Sequence, residues 1–255
     1  MERGVDLEWD DAGVFSGKIY PDTAFVFTRI EEETLGMVSL APGEMVLDIG
    51  CGRAFDAMRL AREGGKAIGL EPSRKMISEA KGHIRDGDVS LVRGIGEALP
   101  FKRHSMDKVM CKGSLDHFVD PEKTMEEMQK VLKPEGAVVI ALANFESLSC
   151  RLGRLWYLIW KRLPFGENSE KPHWDIPADH TYKFDYPLLK SMVGRHFEVK
   201  KITGISLLWE APFWGQALAF LPRRISAIIL AFGDRIGRRF PSMSDVIVIK
   251  CAPRG

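Results

Sequence analysis

The residues best placed to do chemistry lie in Val46-Leu47-Asp48-Ile49-Gly50-Cys51-Gly52-Arg53-Ala54. An acid near the end of an apolar run is followed by Gly-x-Gly, and glycines let a backbone approach a ligand with no Cβ in the way. Glu71 closes the next apolar run, 19 residues after Gly52. A carboxylate there can accept hydrogen bonds from both hydroxyls of a ribose. The turn and its two acids together describe a nucleoside site. Like charges repel at short range, so Asp48 suits a cationic ligand better than a pyrophosphate. The dinucleotide fingerprint also needs a third glycine at position 55, where this chain has Phe55, which disfavours an NAD-dependent oxidoreductase.

Proton-transfer groups come later. Asp116 and His117, in Ser114-Leu115-Asp116-His117-Phe118, follow another apolar run. An unperturbed imidazole pKa near ~6.5 suits a base at neutral pH. His117 is the first choice for that base, set against a reading in which it packs against the next helix as a hydrogen-bonded structural residue. His173-Trp174-Asp175 and Asp179-His180-Thr181-Tyr182 form a second cluster. His180 divides between a catalytic and a structural role, and His173 reads as surface. The spacings match no familiar metal site, so no metal is expected. Patterns for a P-loop, a serine nucleophile elbow and His-Glu-x-x-His are absent.

The elements that must position these residues follow from periodicity. Strands are read at 45–50, 66–71, 89–94, 106–111 and 137–143, each a nearly continuous apolar run. Between them lie helical stripes: Ala57, Met58, Leu60 and Ala61; Met76, Ile77 and Ala80 behind a Ser73 cap; and Met125, Met128, Val131 and Leu132 after Asp120-Pro121. Gly64-Gly65, Gly82 and Lys133-Pro134-Glu135-Gly136 are read as the stops. Alternation of this kind predicts an α/β fold with a doubly wound, mostly parallel sheet covered on both faces. A helix and the strand FEVKKITGI follow, and DVIVIKC (245–251) closes the sheet as a seventh strand.

At these motifs the chain resembles the class I S-adenosylmethionine-dependent methyltransferases, in their small-molecule branch. VLDIGCGRA is similar to the family's first motif and GLEPSRKMISEAK to its second. The segment from Gly94 to Ala141 resembles the family's third-to-fifth-strand region. The resemblance implies a Rossmann-like fold with S-adenosylmethionine as cofactor. Its methionine part would lie over Asp48, Gly50, Cys51 and Gly52. Glu71 would hold the ribose, with Pro72 beside the adenine and the Gly96 N–H donating to it. Cys111, Lys112 and onward to Ser114 would line the way to the methyl group. Two positions depart from the pattern. Ala54 replaces a common glycine, which reads as a small loss of room. Ile95 stands where relatives often carry an aspartate for the adenine amine, a contact that Glu97 or the backbone would have to replace. A sulfonium brings an activated methyl group, so a dedicated base is optional.

One domain is expected over 1–255: an N-terminal cap over 1–40, the cofactor-binding core over 41–145, and insertions or lid at 146–189 and 205–244. The final helix and strands take 190–204 and 245–251. Trp9, Phe15 and Tyr20 read either as part of a water-excluding cap or as core. The near balance of 36 basic and 35 acidic residues hides a division, because 17 of the former and 10 of the latter fall in residues 146–255. Five of the six tryptophans are there as well. Basic residues flanking apolar ones at 151–162 and 213–232 read as a lid over an apolar acceptor or as a peripheral membrane contact. Scattered positive charge argues against nucleic acid. Four isolated cysteines argue against a disulfide framework, and with no secretory leader evident the location is read as cytoplasmic. No run reaches the ~18 apolar residues of a membrane span. The expected activity is methyl transfer to O, N or C of a small or lipid-like, partly apolar acceptor. The alternative is a methyltransferase-like cofactor-binding module without turnover.

Overall fold

The computed structural model describes residues 7–10, 18–85, 89–162 and 181–254. Helix α1 (Pro21–Val38) leads into β1 (Met45–Ile49), α2 (Phe55–Arg62), β2 (Lys66–Glu71), α3 (Arg74–Lys81) and β3 (Val89–Arg93). Then come β4 (Met106–Lys112), a 3-10 turn (Leu115–His117), α4 (Pro121–Val131), β5 (Leu132–Ala143) and α5 (Leu148–Trp160). The chain closes with α6 (Tyr186–His196), β6 (Phe197–Ile205), α7 (Trp214–Ala219), α8 (Arg223–Arg239) and β7 (Val246–Pro253). The seven strands lie in the order β3-β2-β1-β4-β5-β7-β6, with β7 antiparallel to both its neighbours and the remaining pairings parallel. The doubly wound α/β sheet is therefore the architecture, and β1, at the centre of the winding, carries the glycine turn at its carboxyl end.

Strand alternation sends side chains to two cores. Leu47 and Ile49 pack with Met125 and Met128 of α4 and Leu189 and Val193 of α6. Val46 faces the other way, onto Val26 of α1 and Ala57 and Leu60 of α2. Each large apolar side chain buried this fully contributes roughly 2 kcal/mol. Four helix starts follow the capping chemistry: Ser73 Oγ accepts from the Met76 N–H (3.3 Å), Asp120 from Lys123 (2.9 Å), Ser147 from Cys150 (3.2 Å) and Asp185 from Leu188 (2.8 Å).

Two segments differ from expectation or go beyond it. The fifth strand begins at Leu132 rather than at 137. Met106 pairs with Leu132 before the register shifts so that Lys108 pairs with Ala137. Lys133-Pro134-Glu135-Gly136 is thus a bulged stretch of strand, where a missing proline N–H breaks no ladder bond. Residues 205–244 supply α7 and α8. The buried face of α8, Ser226, Leu230, Asp234 and Gly237, turns inward. Gly204 of β6 permits the approach, since a Cβ there would lie 2.3 Å from the Gly237 carbonyl oxygen. Asp234 fixes the helix by accepting from the Ser206 N–H (3.2 Å) and pairing with Arg29 (3.3 Å). Among the described residues no helix is long and apolar enough to cross a membrane.

Candidate functional site

A cleft open to solvent lies at the carboxyl edge of β1, β2 and β4. Gly50, Glu71 and Pro72 form one wall, Ile95, Gly96 and Glu97 a second, and Gly113, Ser114, His117, Phe118 and Val119 the third. Trp9 covers part of the opening. Its segment is tied down over α3: Ser73 Oγ donates to the Trp9 carbonyl (2.6 Å) and the Arg74 N–H to that of Leu7 (3.2 Å). Trp9 therefore reaches the cleft, whereas Tyr20 sits against the helix-α7 residue Gly215. Phe15 lies outside the described residues.

The glycine turn is needed for both shape and space. Gly50 has φ +72°, and a Cβ on it would lie 2.5 Å from Ser114 Cβ. Gly52 has φ +52°. Ala54 follows at φ 61°. Its departure from glycine is thus a matter of backbone conformation more than of room, because a left-handed residue with a Cβ costs roughly 1–2 kcal/mol. Phe55 is exposed and stacks on His83, with ring centroids 4.8 Å apart.

Charge is concentrated behind this turn. Glu71 is buried, and its two oxygens accept from the Gly52 N–H (3.0 Å) and the Ser73 N–H (2.9 Å). Burial raises its pKa against the pull of those two bonds. Asp48 is buried and held well above the usual carboxylate range, first by desolvation and then by the neighbouring Asp56, with Lys112 opposing and Glu71 adding to the rise. Lys112 is ion-paired with Asp56. Its amine therefore lies on the β1–α2 side of the site, a partnership between sequence-distant residues. Cys51 is half-buried behind the turn, and burial pushes its thiol up. Cys111 is fully buried beneath Ser114, Sγ to Oγ 3.2 Å, and burial takes its thiol to about 12. Neither thiol is a ready nucleophile.

On the opposite wall, Gly96 allows close packing, since a Cβ would come 2.9 Å from Thr124 Cγ2. Glu97 lines the cleft, and its Oε1 accepts from the N–H groups of Val119 (2.9 Å) and Asp120 (3.3 Å). It is thereby braced against the loop that leads into α4. Ile95 presents an apolar side chain to the cleft. His117 is half-buried, its ring 5.5 Å from that of Trp9. The neighbouring Asp116 is buried, and its backbone carbonyl accepts from the Thr181 and Tyr182 N–H groups (2.8 and 3.1 Å). His180 and the His173 cluster lie outside the described residues.

The cleft itself is thus lined by Gly50, Glu71, Pro72, Ile95, Gly96, Glu97 and His117, while Asp48, Cys51, Gly52, Cys111 and Lys112 stand at or behind its floor. Trp9, Phe118 and Val119 complete the enclosure. Asp56 is the participant that sequence reading missed, and its signal was an acid in the first turn after the glycine loop. Among the described residues no cluster of His, Cys, Asp and Glu could hold a metal.

Residues 47–140 match the methyltransferase domain family. A demethylmenaquinone methyltransferase of Corynebacterium glutamicum is 34% identical over 147 residues, which span 54% of this chain and 62% of that protein. A ubiquinone biosynthesis O-methyltransferase of Citrobacter koseri is 28% identical over 167 residues, 61% of this chain and 66% of that protein. The chain thus spans between about one-third and two-thirds of the length of the curated relatives it matches. In fold, an S-adenosylmethionine-dependent methyltransferase from Aquifex aeolicus aligns with TM-score 0.55 over 93% of this chain and 100% of that one, at 15% identity. The [4+2]-cyclase SpnF aligns with TM-score 0.60 over 89% and 81%, at 18% identity.

Proposed function

We propose that this chain, built on a class I methyltransferase domain, binds S-adenosylmethionine in the cleft and methylates a small, partly apolar acceptor of quinone type. The single observation that carries the reading is the pairing of the Gly50–Gly52 turn with Glu71 at the head of one cleft. The residues fit the ligand. Left-handed glycines expose backbone that a Cβ would cover. Glu71 uses one lone pair on each oxygen for Gly52 and Ser73, leaving acceptor capacity for ribose hydroxyls. Asp48 offers a carboxyl whose ionised form a cationic ligand favours.

The bound cofactor would supply an activated methyl group. The protein's part is to hold the acceptor in line and keep water out. Ile95 and Pro72 flank the adenine side, with the Gly96 N–H as donor. Trp9, Phe118 and Val119 wall off solvent. His117, beside Trp9, is the candidate base for an acceptor hydroxyl, with Asp116 shaping its turn, and His180 is a second candidate. The acceptor class rests on the quinone-related relatives and on the apolar wall.

A cofactor-binding module without turnover is the second reading. Ile95 favours it, because an apolar residue stands where a polar adenine contact is expected. Calorimetric titration with S-adenosylmethionine and its demethylated product, with NADH as control, tests the cofactor. Saturable binding that Glu71→Ala abolishes is expected, and no binding of either sulfur ligand would refute the reading. Mass-spectrometric detection of a methylated hydroxyquinone acceptor then separates enzyme from module.

A further inference from the structure

We propose that the face formed by α5 and the α7–α8 segment docks onto an anionic lipid bilayer. Of the nineteen large hydrophobic residues exposed among the described residues, twelve fall in 152–160 and 213–232. That clustering is unlike the single scattered apolar residues of an ordinary surface. On α5 the spacing of Leu152, Leu155, Trp156 and Ile159 makes one exposed stripe, and only Ser149 and Gly153 of the helix are buried. On α8 the exposed Ile225, Ile228 and Phe232 lie away from the buried Ser226, Leu230, Asp234 and Gly237. Trp156 meets Phe213 edge to face with centroids 5.5 Å apart, which joins the two segments. At the corner between α7 and α8, Phe220 is 90% exposed.

The charge on this face names the occupant. Residues 147–162 hold Arg151, Arg154, Lys161 and Arg162 and no acid, and residues 211–233 hold Arg223 and Arg224 and no acid. Arg162, Arg223 and Arg224 make no ion pair among the described residues. Arg151 and Arg154 share Glu146, so the cations left to meet headgroups are Arg162, Arg223 and Arg224, and aromatic and aliphatic side chains beside them match an acyl boundary beneath anionic headgroups. A protein partner of ordinary surface would leave those cations opposite no particular charge. Topology adds a second point. Both segments leave the sheet at the end where the cleft opens: α5 follows the carboxyl end of β5, and 206–245 follows that of β6. A docked face would set the cleft mouth near the bilayer, where a lipid-like acceptor resides. This consequence rests on the acceptor proposed above, but the docking itself rests on the surface alone.

The test is co-sedimentation of the full chain with phosphatidylcholine vesicles, with and without about one-third phosphatidylglycerol, at low and high salt. Sedimentation with the anionic vesicles, weakened by salt, is expected. Arg223→Glu/Arg224→Glu should weaken it by about 30-fold or more, at roughly tenfold or less per surface cation removed and more for reversal. Phe220→Ser/Ile228→Ser should weaken it at least about tenfold, through lost apolar insertion. Both variants touch neither the cleft nor the core, and calorimetric cofactor titration and thermal melting verify that each remains folded. No sedimentation of the wild type at low salt, or sedimentation of both variants at wild-type strength, overturns the proposal. So does a dimer in analytical ultracentrifugation that Phe220→Ser/Ile228→Ser dissolves while vesicles go unbound, since a second copy would then cover the face. Loss of cofactor binding in the wild type would refute the methyltransferase reading and leave the vesicle result standing.

Discussion

Gly50→Ala is the substitution for which the structure gives the sharpest numbers. Gly50 sits at φ +72°, so any Cβ there incurs the left-handed penalty of roughly 1–2 kcal/mol. The new carbon would also lie 2.5 Å from Ser114 Cβ and 2.6 Å from Ser114 Oγ, about an ångström inside normal contact. Ser114 has little freedom to retreat. It is buried, its Oγ donates to the Ile49 carbonyl (2.9 Å), and the Cys111 thiol lies behind it. Overpacking of this kind adds about 1–3 kcal/mol, so the total loss is about 2–5 kcal/mol. Removing the Ser114 side chain takes away both clashing atoms and leaves only Phe118 Cζ, at an ordinary 3.7 Å. The pair Gly50→Ala/Ser114→Gly should therefore recover about 2 kcal/mol relative to the sum of the single changes. Urea unfolding of the four proteins measures that coupling, and titration with the demethylated cofactor should show at least a tenfold loss of affinity in Gly50→Ala. Additivity within about 0.5 kcal/mol would refute the steric argument and with it the need for glycine at position 50 in the cleft wall.

Ala54→Gly should stabilise the protein by about 1 kcal/mol, because Ala54 occupies φ 61°, and a lower urea midpoint would contradict that. Asp245 is buried, accepts from Ser149 Oγ (2.7 Å) and the Trp209 N–H (2.9 Å), and has its carboxyl pushed up to about 7 by desolvation. The folded state therefore holds a proton that the unfolded state has lost between about pH 4 and 7, so stability falls as pH rises through that window by up to roughly 4 kcal/mol. Asp245→Asn should flatten the fall in pH-dependent urea unfolding, and an unchanged slope would count against it. Asp48 is likewise raised, so S-adenosylmethionine should bind more weakly as pH is lowered and release protons on binding; calorimetry in buffers of different ionisation enthalpy reads this, and buffer-independent heats would sink it. His117→Asn should lower the rate constant on a hydroxyl acceptor about 100-fold with cofactor affinity unchanged, and equal turnover would assign His117 to packing.

The half of the fold that holds the cleft was legible because its signals are local. The apolar runs of β1, β2 and β4, the Ser73 and Asp120 caps and the glycine turn all declare themselves within a few residues. What escaped reading was set by contacts distant in sequence. The Lys133–Gly136 stretch looks like a breaker, yet pairing with β4 carries it into the sheet as a bulge. The pairing of Lys112 with Asp56 and the bracing of Glu97 by Val119 and Asp120 depend on how separate loops meet. The conformational cost at Ala54 is a property of φ, which composition does not encode. Within the second insertion, the spacing of Ser226, Leu230, Asp234 and Gly237 already held the period of α8, but their small and polar character concealed it.

The place of β7 has a consequence for how the molecule is made. It follows all the other described strands in sequence, yet it stands between β5 and β6. A ribosome therefore delivers β1 through β5, with all the glycine-turn chemistry, while the outermost strand β6 has nothing to pair with. Until Val246–Pro253 emerges, both β5 and β6 present bare edges of N–H and C=O groups to whatever is near. Strand β7 is the wedge that closes two open edges at once, and β6 with α8 behind it joins the sheet only when that wedge arrives. Vectorial synthesis thus separates the molecule in time, with the cleft half able to assemble first and the α8 half waiting on Val246–Pro253.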